Sequence, residues 1–424
     1  MEWLPIGFWT LAALAVASAA LLTMQTWEHR RYARSRVGHL NPNAPRGHAA
    51  IFVPCKGADV DLENNLRPLF EQNYDSYELV FVVESPQDPA SRVIQRLLLQ
   101  YPGQRAKLIL AGSATHCGQK VHNLLAATEQ LSDGVDFLVF VDADVRPPRD
   151  WLRMLTQTLH VCGAATGYRW FVPKRATLAN CLLSSLDSAV AAMMFPGRHH
   201  MIWGGSWAIR RDVFEAGSVR EAWQGTLSDD LVASNVLARI RQPVALEPTC
   251  ILPSPLDVDF RTMFSFVRRQ FIIGRYYAPR LWGSMLILNC LSQIVFWGSL
   301  VATAWGFFGQ TAWRWQPAAV LGLLYGLHVF RAWLRQLASR NYLPRRQEEL
   351  AAARQFDIWL GPLAALVCCF GLLASAFGRK IIWKGIVYDM QLGGRIRSIS
   401  FLSSMPDGNL KEKTSENAPL RRAA

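Results

Sequence analysis

Four short apolar runs, at residues 49–53, 79–83, 108–110 and 137–141, recur with stretches of helical length between and after them, at 62–71, 89–101, 120–131 and 150–159. An unbroken apolar run reads as a strand buried on both faces, and strand, helix, strand in this rhythm closes as a mostly parallel sheet with helices on both sides. The expected fold class is therefore α/β. In such sheets ligands bind beyond the carboxyl ends of the strands. Lys56, Gly57, Ala58 and Asp59 follow the first run, Glu84 to Asp88 the second, Gly112 to Lys120 the third, and Asp142-Ala143-Asp144 the fourth. Solubility alone does not explain why every one of these strand ends carries acid, base or glycine.

Side chains at i and i+2 of an extended segment point the same way, so Asp142 and Asp144 can converge on one hard divalent cation that also holds a diphosphate. Taken alone, Asp-x-Asp is a common solvated loop tripeptide; its position on the rim favours the functional reading. Further along, residues 164–172 are expected as another strand and 176–195 as an apolar, small-residue helix facing core or membrane. Ser228 then precedes Asp229 and Asp230 at the start of a helix expected to run to about Arg239. A hydroxyl and carboxylates satisfy free amides there and suit the positive end of the helix dipole. Capping accounts for either acid, but it does not need both.

Residues 4–24 carry no charge over a full bilayer crossing, with Glu2 before them and Arg30, Arg31, Arg34 and Arg36 after them. That asymmetry places the amino terminus outside and the following region in the cytosol. The acidic start suits an uncleaved anchor, although Ala17-Ser18-Ala19-Ala20 leaves a cleavage site open. Residues 281–309 and 356–378 are further long apolar stretches, the latter with only Asp357 at its edge. Residues 317–333 are shorter and include His328 and Arg331, so they either cross or lie at the interface as an amphipathic helix. Counting that segment as a crossing puts Arg345 and Arg346 inside but Arg379, Lys380, Lys384, Arg395 and Arg397 outside; leaving it out reverses the conflict. Four spans are the reading adopted, in a multi-pass integral membrane protein.

The net charge of +13 is partly these flanks meeting anionic headgroups, and no nucleic-acid motif accompanies it, so no nucleic-acid partner is expected. The eight cysteines show no Cys-x-x-Cys spacing, which argues against structural zinc or a disulfide framework and suits a reduced cytosolic domain. The expected organisation is an anchor with basic flank over residues 1–36, a cytosolic catalytic domain over 37–280, a transmembrane region over 281–390 and a basic, disordered tail over 391–424.

Taken in order, these residues resemble the family 2 glycosyltransferases of the GT-A fold, and most the ceramide glucosyltransferases among them. The likeness covers roughly residues 1–280 and continues loosely through the later spans. It rests on Lys56-Gly57-Ala58-Asp59 with Leu62 to Leu66; Gln87-Asp88-Pro89-Ala90; Lys120 with Asn123-Leu124; Asp142 to Asp144; Gly205-Ser206 ahead of Arg210 to Val213; and Asp229-Asp230. The resemblance implies a GT-A-like mostly parallel sheet with flanking helices, plus amino- and carboxyl-terminal transmembrane helices. It also implies a membrane-bound inverting enzyme that moves a hexose, glucose foremost, from a UDP-sugar to the hydroxyl of a lipid such as ceramide. By the same resemblance Asp88 contacts uridine, Asp142 and Asp144 hold a divalent cation (Mg2+ or Mn2+) on the diphosphate, and Asp230 is the general base, with Lys120, Asp229 and Arg269 binding substrate. Such a transfer needs charge neutralisation on the leaving group and removal of the hydroxyl proton, which these residue types supply.

The chain departs from the pattern in two places. It has the full Asp-x-Asp of the wider family where ceramide glucosyltransferases are less regular. Arg269 falls by spacing on the arginine of the family's Gln/Arg-x-x-Arg-Trp motif, but Phe266 replaces its first residue and Gln270 its tryptophan. The acceptor's aromatic platform would then have to come from Phe271 or Tyr276, and Arg268 and Arg269 equally suit anchoring at the membrane surface. His199 and His200 are left outside the site, and Trp203, Trp207, Trp223, Tyr168 and Trp170 are read as core or headgroup-level residues. Two alternatives stay open. A processive polysaccharide synthase would need more spans and the Arg-Trp pair; a non-catalytic membrane scaffold would have shed its acids.

Overall fold

Each apolar run expected as a strand forms one: β1 (Ala49–Pro54), β2 (Tyr77–Val83), β3 (Ala106–Leu110) and β4 (Phe137–Val141). The computed structural model describes residues 6–41, 44, 46–58, 61–194, 201–404 and 410–414. Three more strands, β5 (Ala164–Pro173), β6 (Ser206–Arg210) and β7 (Val244–Leu256), complete a seven-stranded sheet of order β3-β2-β1-β4-β6-β5-β7. Pairing is parallel except at β6, which runs antiparallel to both β4 and β5. Because β6 runs backwards with Ser206 opposite Val141, its first residues stand at the rim where β4 ends. The expected mostly parallel sheet flanked by helices is thus present.

β1, β2 and β4 are buried on both faces, as their unbroken apolar runs require, whereas β3 at the sheet edge is only partly covered and exposes Leu110. Ala50, Phe52, Val80, Val82, Leu138 and Phe140 enter one core; Ile51, Val53, Leu79, Phe81, Val139 and Val141 enter the other. Phe140 stacks 5.3 Å from Phe52 and 4.3 Å from Trp207, with Trp223 edge-on at 5.5 Å. Trp170, Trp207 and Trp223 are fully buried, in agreement with their reading as core. The helix expected over residues 62–71 is instead the helix Leu62–Leu66 followed by a 3-10 turn, Arg67–Glu71, because Pro68 has no amide hydrogen to continue the ladder.

Four helices are long and apolar enough to cross a membrane: Ile6–Arg36, Pro279–Phe308, Trp315–Tyr342 and Ala351–Ser375. The first and third run side by side, from Ala12 and Ala15 against Val320 and Leu324 to a 2.6 Å hydrogen bond between His29 Nε2 and the Tyr342 hydroxyl. The fourth differs, because both its ends adjoin the α/β domain. Leu350, just before it, shares a core cluster with Trp170 and Ile251. At its far end the Ala374 and Ser375 carbonyls accept hydrogen bonds from Arg268 (3.1 Å) and Arg275 (2.6 Å) of the helix Phe260–Tyr277. One face, with Ala353, Asp357, Gly361, Ala364, Leu372 and Ser375, is buried; the other exposes Trp359, Leu360, Leu363, Phe370 and Leu373. Asp357 on the buried face pairs with Arg335 at 2.6 Å and accepts from Gln336 at 2.8 Å and Ser185 at 2.5 Å.

The boundary expected at residue 390, with a disordered tail beyond it, does not match the architecture. From Lys380 the chain forms β8 (Lys380–Trp383), β9 (Ile386–Met390), β10 (Ile396–Ser404) and β11 (Leu410–Thr414), an antiparallel sheet of order β11-β10-β9-β8. Apolar residues alternate there among basic and polar ones, and Ile381, Ile386, Tyr388, Met390 and Ile399 pack into the same core as Leu227, Ile272 and Tyr277. The remainder of the expected tail lies outside the described residues.

Candidate active site

The end of β4 delivers Asp142 and Asp144 to the rim. The Asp142 carbonyl accepts from the Val145 amide at 3.1 Å, and its own amide donates to the Gly205 carbonyl at 3.1 Å, tying the turn to the loop that enters β6. Both aspartates line a small cavity of about 20 Å3 together with Val145, Arg169, Trp203, Leu252, Pro253 and Ser254.

Lys120, from the first turn of the helix Gln119–Glu129, joins the rim residues into one cluster. Its ammonium lies 2.8 Å from Asp142 Oδ1 and 3.1 Å from Asp229 Oδ1, and donates to the Gly204 carbonyl at 3.0 Å. An ammonium has three donors, and here each has a protein acceptor. Burial works against its charge, but Asp142, Asp229 and Asp230 outweigh that and raise the amine's pKa. Lys120 is thus the internal counter-ion of the acids.

Asp230 accepts from the Ser228 hydroxyl (2.5 Å) and the Leu231 amide (2.8 Å) on Oδ1, and from the Gly204 amide (2.9 Å) on Oδ2. The capping role foreseen at this helix start is therefore shared by Ser228 and Asp230, while Asp229 turns inward to Lys120. Glycine at 204 leaves room for this cluster: a Cβ there would stand 3.0 Å from both Asp230 Oδ2 and Lys120 Nζ and press on them. Asp229 is buried, its Oδ2 has no hydrogen-bond partner among the described residues, and its carboxyl is pushed up to about 7 by burial, with Lys120 opposing and the charges of Asp230 and Asp142 adding. Asp144 keeps an open outer face, yet loss of water on its inner sides and then the charge of Asp142 raise its carboxyl as well.

Asp88 stands on the neighbouring strand end and caps the helix Pro89–Gln100. Its Oδ1 accepts at 2.9 Å from both the Ala90 and Gly57 amides, which fixes the loop after β1. Beside it Glu84 pairs with Lys56 at 2.6 Å and accepts from Ser113 at 2.7 Å. Arg269 does not touch the acids. Its guanidinium lies 5.3 Å from the Phe266 ring and 5.7 Å from that of Trp383, without an ion pair among the described residues. Burial and then the charge of Arg169 lower its pKa. Asp59, His199 and His200 lie outside the described residues.

Sequence reasoning passed over Arg169. It sits on β5 opposite the buried Tyr168 and Trp170, pairs with Asp187 at 3.2 Å, and covers Phe266 at 5.1 Å while lining the cavity of Asp142 and Asp144. An arginine in the middle of an otherwise apolar strand was the available signal. The cavity tests well for a hard cation: the donors are carboxylate oxygens and the volume suits one small guest. Among the described residues no group of three or more His, Cys, Asp or Glu forms a closed cage, so the aspartate pair would supply only part of a cation's coordination.

A carboxylate-rich cleft at the strand ends of an α/β sheet is set on helices long enough to cross a bilayer, and comparison with known proteins gives the class, a membrane glycosyltransferase. The profile of glycosyl transferase family 21 matches residues 10–396, and the chain belongs to that family. The motifs had suggested the broader family 2; the kinship with ceramide glucosyltransferases is common to both. Ceramide glucosyltransferase 1 of Caenorhabditis elegans is 30% identical over 399 residues, 89% of this chain and 79% of that protein. The ceramide glucosyltransferase of Komagataella phaffii is 36% identical over 78 residues, 18% of this chain and 15% of its own. Among solved structures, the mannosyltransferase PcManGT from Pyrobaculum calidifontis, in complex with GDP-Man and Mn2+, aligns with a TM-score of 0.46 at 16% identity, covering 86% of this chain and 97% of that one.

Proposed function

We propose that the protein transfers a hexose, glucose foremost, from a UDP-sugar to the hydroxyl of a membrane lipid, ceramide or a similar two-chain acceptor, with inversion at the anomeric carbon. The observation that supports this reading most is the meeting of Asp142, Asp229 and Asp230 through Lys120 and Gly204, on the rim that Asp88 and Asp144 share. Asp88, whose Oδ1 is occupied by the loop and helix amides, offers Oδ2 to the uracil. Asp142 and Asp144 would hold a Mg2+ or Mn2+ ion, which when bound neutralises the leaving diphosphate. Lys120 keeps the acids in place before substrate arrives, and Arg269, without a carboxylate partner among the described residues, brings its guanidinium to the phosphate. Asp230 Oδ2 carries one hydrogen bond, from Gly204, and has a lone pair left for the acceptor proton. As the acceptor oxygen bonds to the anomeric carbon, the bond to the diphosphate breaks, the proton passes to Asp230 and UDP leaves.

In this reading three helices cross the membrane, and Ala351–Ser375 lies along its cytosolic face with the exposed apolar side in lipid. Arg345, Arg346, Arg379, Lys380 and Arg395 then all lie on the side of the catalytic domain, which removes the conflict in the positive-inside count. The rim of the sheet stands at headgroup level, within reach of a lipid hydroxyl. The test is to incubate the full-length protein in lipid micelles with a panel of nucleotide sugars, with and without Mn2+ or Mg2+, and to identify the labelled lipid by mass spectrometry. A metal-stimulated hexosyl lipid that Asp230→Asn abolishes while UDP still binds is the expected result. Transfer that persists undiminished in Asp230→Asn would refute the assignment.

A further inference from the structure

We infer that Arg169 is a further donor-binding residue, held by Asp187 so that its two amino groups meet the leaving phosphate while Asp142 and Asp144 meet the cation; this rests on the proposed transfer from a UDP-sugar. Lys120 has no donor left for that phosphate, because each of its three already has a protein acceptor. Arg169 is occupied on one side only. Its Nε donates to Asp187 Oδ1 at 3.2 Å, and its guanidinium makes no other ion pair or hydrogen bond among the described residues. A guanidinium carries five N–H groups in a fixed fork. The two amino groups therefore stay available, and they are the pair that grips a phosphate in bidentate fashion.

The cavity gives the ligand its chemistry. Asp142 and Asp144 line it with acid, and Arg169 lines it with base. Opposite charges sharing so small a space ordinarily close into an ion pair, yet here Arg169 pairs with Asp187 and Asp142 with Lys120. A guest that carries both signs, a divalent cation with a phosphate oxygen on it, matches such walls. Positive charge is also in surplus beside the cavity. Arg169 and Arg269 cover one ring, that of Phe266, at 5.1 and 5.3 Å, and Arg269 has no ion pair among the described residues. An anion between two like charges relieves their repulsion. The bracing of Arg169 is complete without a ligand. Arg169 and Phe171 share a face of β5, which lays the guanidinium over the Phe171 ring at 4.5 Å. Asp187, on the helix Leu178–Ala191, also accepts from the Phe171 amide at 3.2 Å and the Tyr168 hydroxyl at 3.4 Å, so the carboxylate itself is fixed. Ser185 of the same helix donates to Asp357 at 2.5 Å, which ties it to Ala351–Ser375. Burial opposes the charge of Arg169, and Asp187, Tyr168 and Asp144 outweigh that opposition. Asp187 is thus a positioning residue, and Arg169 is the group that touches the donor.

The test measures by calorimetry how tightly the full-length protein in lipid micelles binds UDP and uridine, with Mn2+ and with EDTA. Wild type is compared with Arg169→Met, Arg169→Lys and Asp187→Asn. Methionine should weaken UDP binding roughly ten- to hundredfold, the range for hydrogen bonds to a charged group, in both metal conditions, and leave uridine unchanged. Lysine keeps the charge without the fork and should recover part of the loss; Asp187→Asn should weaken UDP less than methionine does and again spare uridine. Where Arg169→Met does not fold, the lysine variant decides by the same comparison of UDP with uridine. Equal loss of UDP and uridine, no loss of either, or a loss confined to Mn2+ overturns the role of Arg169 alone. So does an effect confined to the acceptor KM, which would place the phosphate on the lipid. A wild type that binds no UDP overturns the sugar-transfer reading and this role with it.

Discussion

Asp229→Asn tests the energetics of the cleft most directly. Asp229 is 3% exposed, its Oδ2 has no partner among the described residues, and its carboxyl sits at about 7 because burial, with the charges of Asp230 and Asp142, disfavours ionisation more than Lys120 favours it. An unfolded aspartate titrates near 3.9, so the folded state binds this proton more tightly by about three pKa units, roughly 4 kcal/mol. The folded-state pKa is raised, so the stabilising contribution is complete below pH of about 4, is lost as pH rises through about 7, and changes no further above that. Asparagine keeps the shape and removes the titration. Melting temperatures of the solubilised full-length protein, measured from pH 4 to 8, should therefore nearly coincide for wild type and variant at the acid end. They should draw apart in favour of the variant between pH 4 and about 7 and keep a constant gap above it. The variant should also lose transfer, since Lys120 then has one charged partner fewer, the combination expected where a function-bearing carboxylate is held at a cost in stability. Melting curves that stay parallel across this range would show that Asp229 is not the proton-binding group inferred from its burial.

Asp142→Asn and Asp144→Asn should each lower the turnover number at least about a hundredfold, as loss of a group stabilising developing charge does, and shift the metal titration of activity; a variant with unchanged metal dependence would exclude that aspartate as a ligand. Gly204→Ala should displace Asp230 and Lys120, whose atoms lie 3.0 Å from the new Cβ, and destabilise by about 1–3 kcal/mol while depressing transfer, read from paired unfolding and activity measurements. Phe140→Ala, which empties the stack between Phe52 and Trp207, should cost about 3–5 kcal/mol in denaturant unfolding without altering the acceptor KM of the folded fraction. Cysteines placed at Gln310 and Gln391 should react with an impermeant thiol reagent from opposite faces of sealed vesicles; labelling from the same face would mean that Ala351–Ser375 crosses the bilayer.

Much of the cleft was legible before any coordinates because its signals are local. Asp142 and Asp144 follow a buried strand within three residues, Asp88 precedes a proline-started helix, and Ser228 announces the helix that carries Asp229 and Asp230. What could not be read depends on contacts between distant segments. The reversal of β6 brings Gly204 to Asp230, and Lys120 joins Asp142, Asp229 and the Gly204 carbonyl from separate strand and helix ends. Arg169 looked like part of an aromatic strand until Asp187 and the cavity gave it a direction. The alternating apolar residues after Lys380 were masked by their basic neighbours, and their partners lie far earlier in the chain.

By itself the sequence determined the α/β sheet, the apolar helices and the set of rim carboxylates, because periodicity, unbroken hydrophobic length and short capping motifs act over a few residues. Tertiary structure alone decided which oxygens share Lys120 and which is left unpaired. It also decided that both ends of Ala351–Ser375 return to the same domain and that Arg169 lines the cavity of Asp142 and Asp144. Charge, burial and reach at those points are set by side chains far apart in the chain, whose separation in space no local pattern encodes.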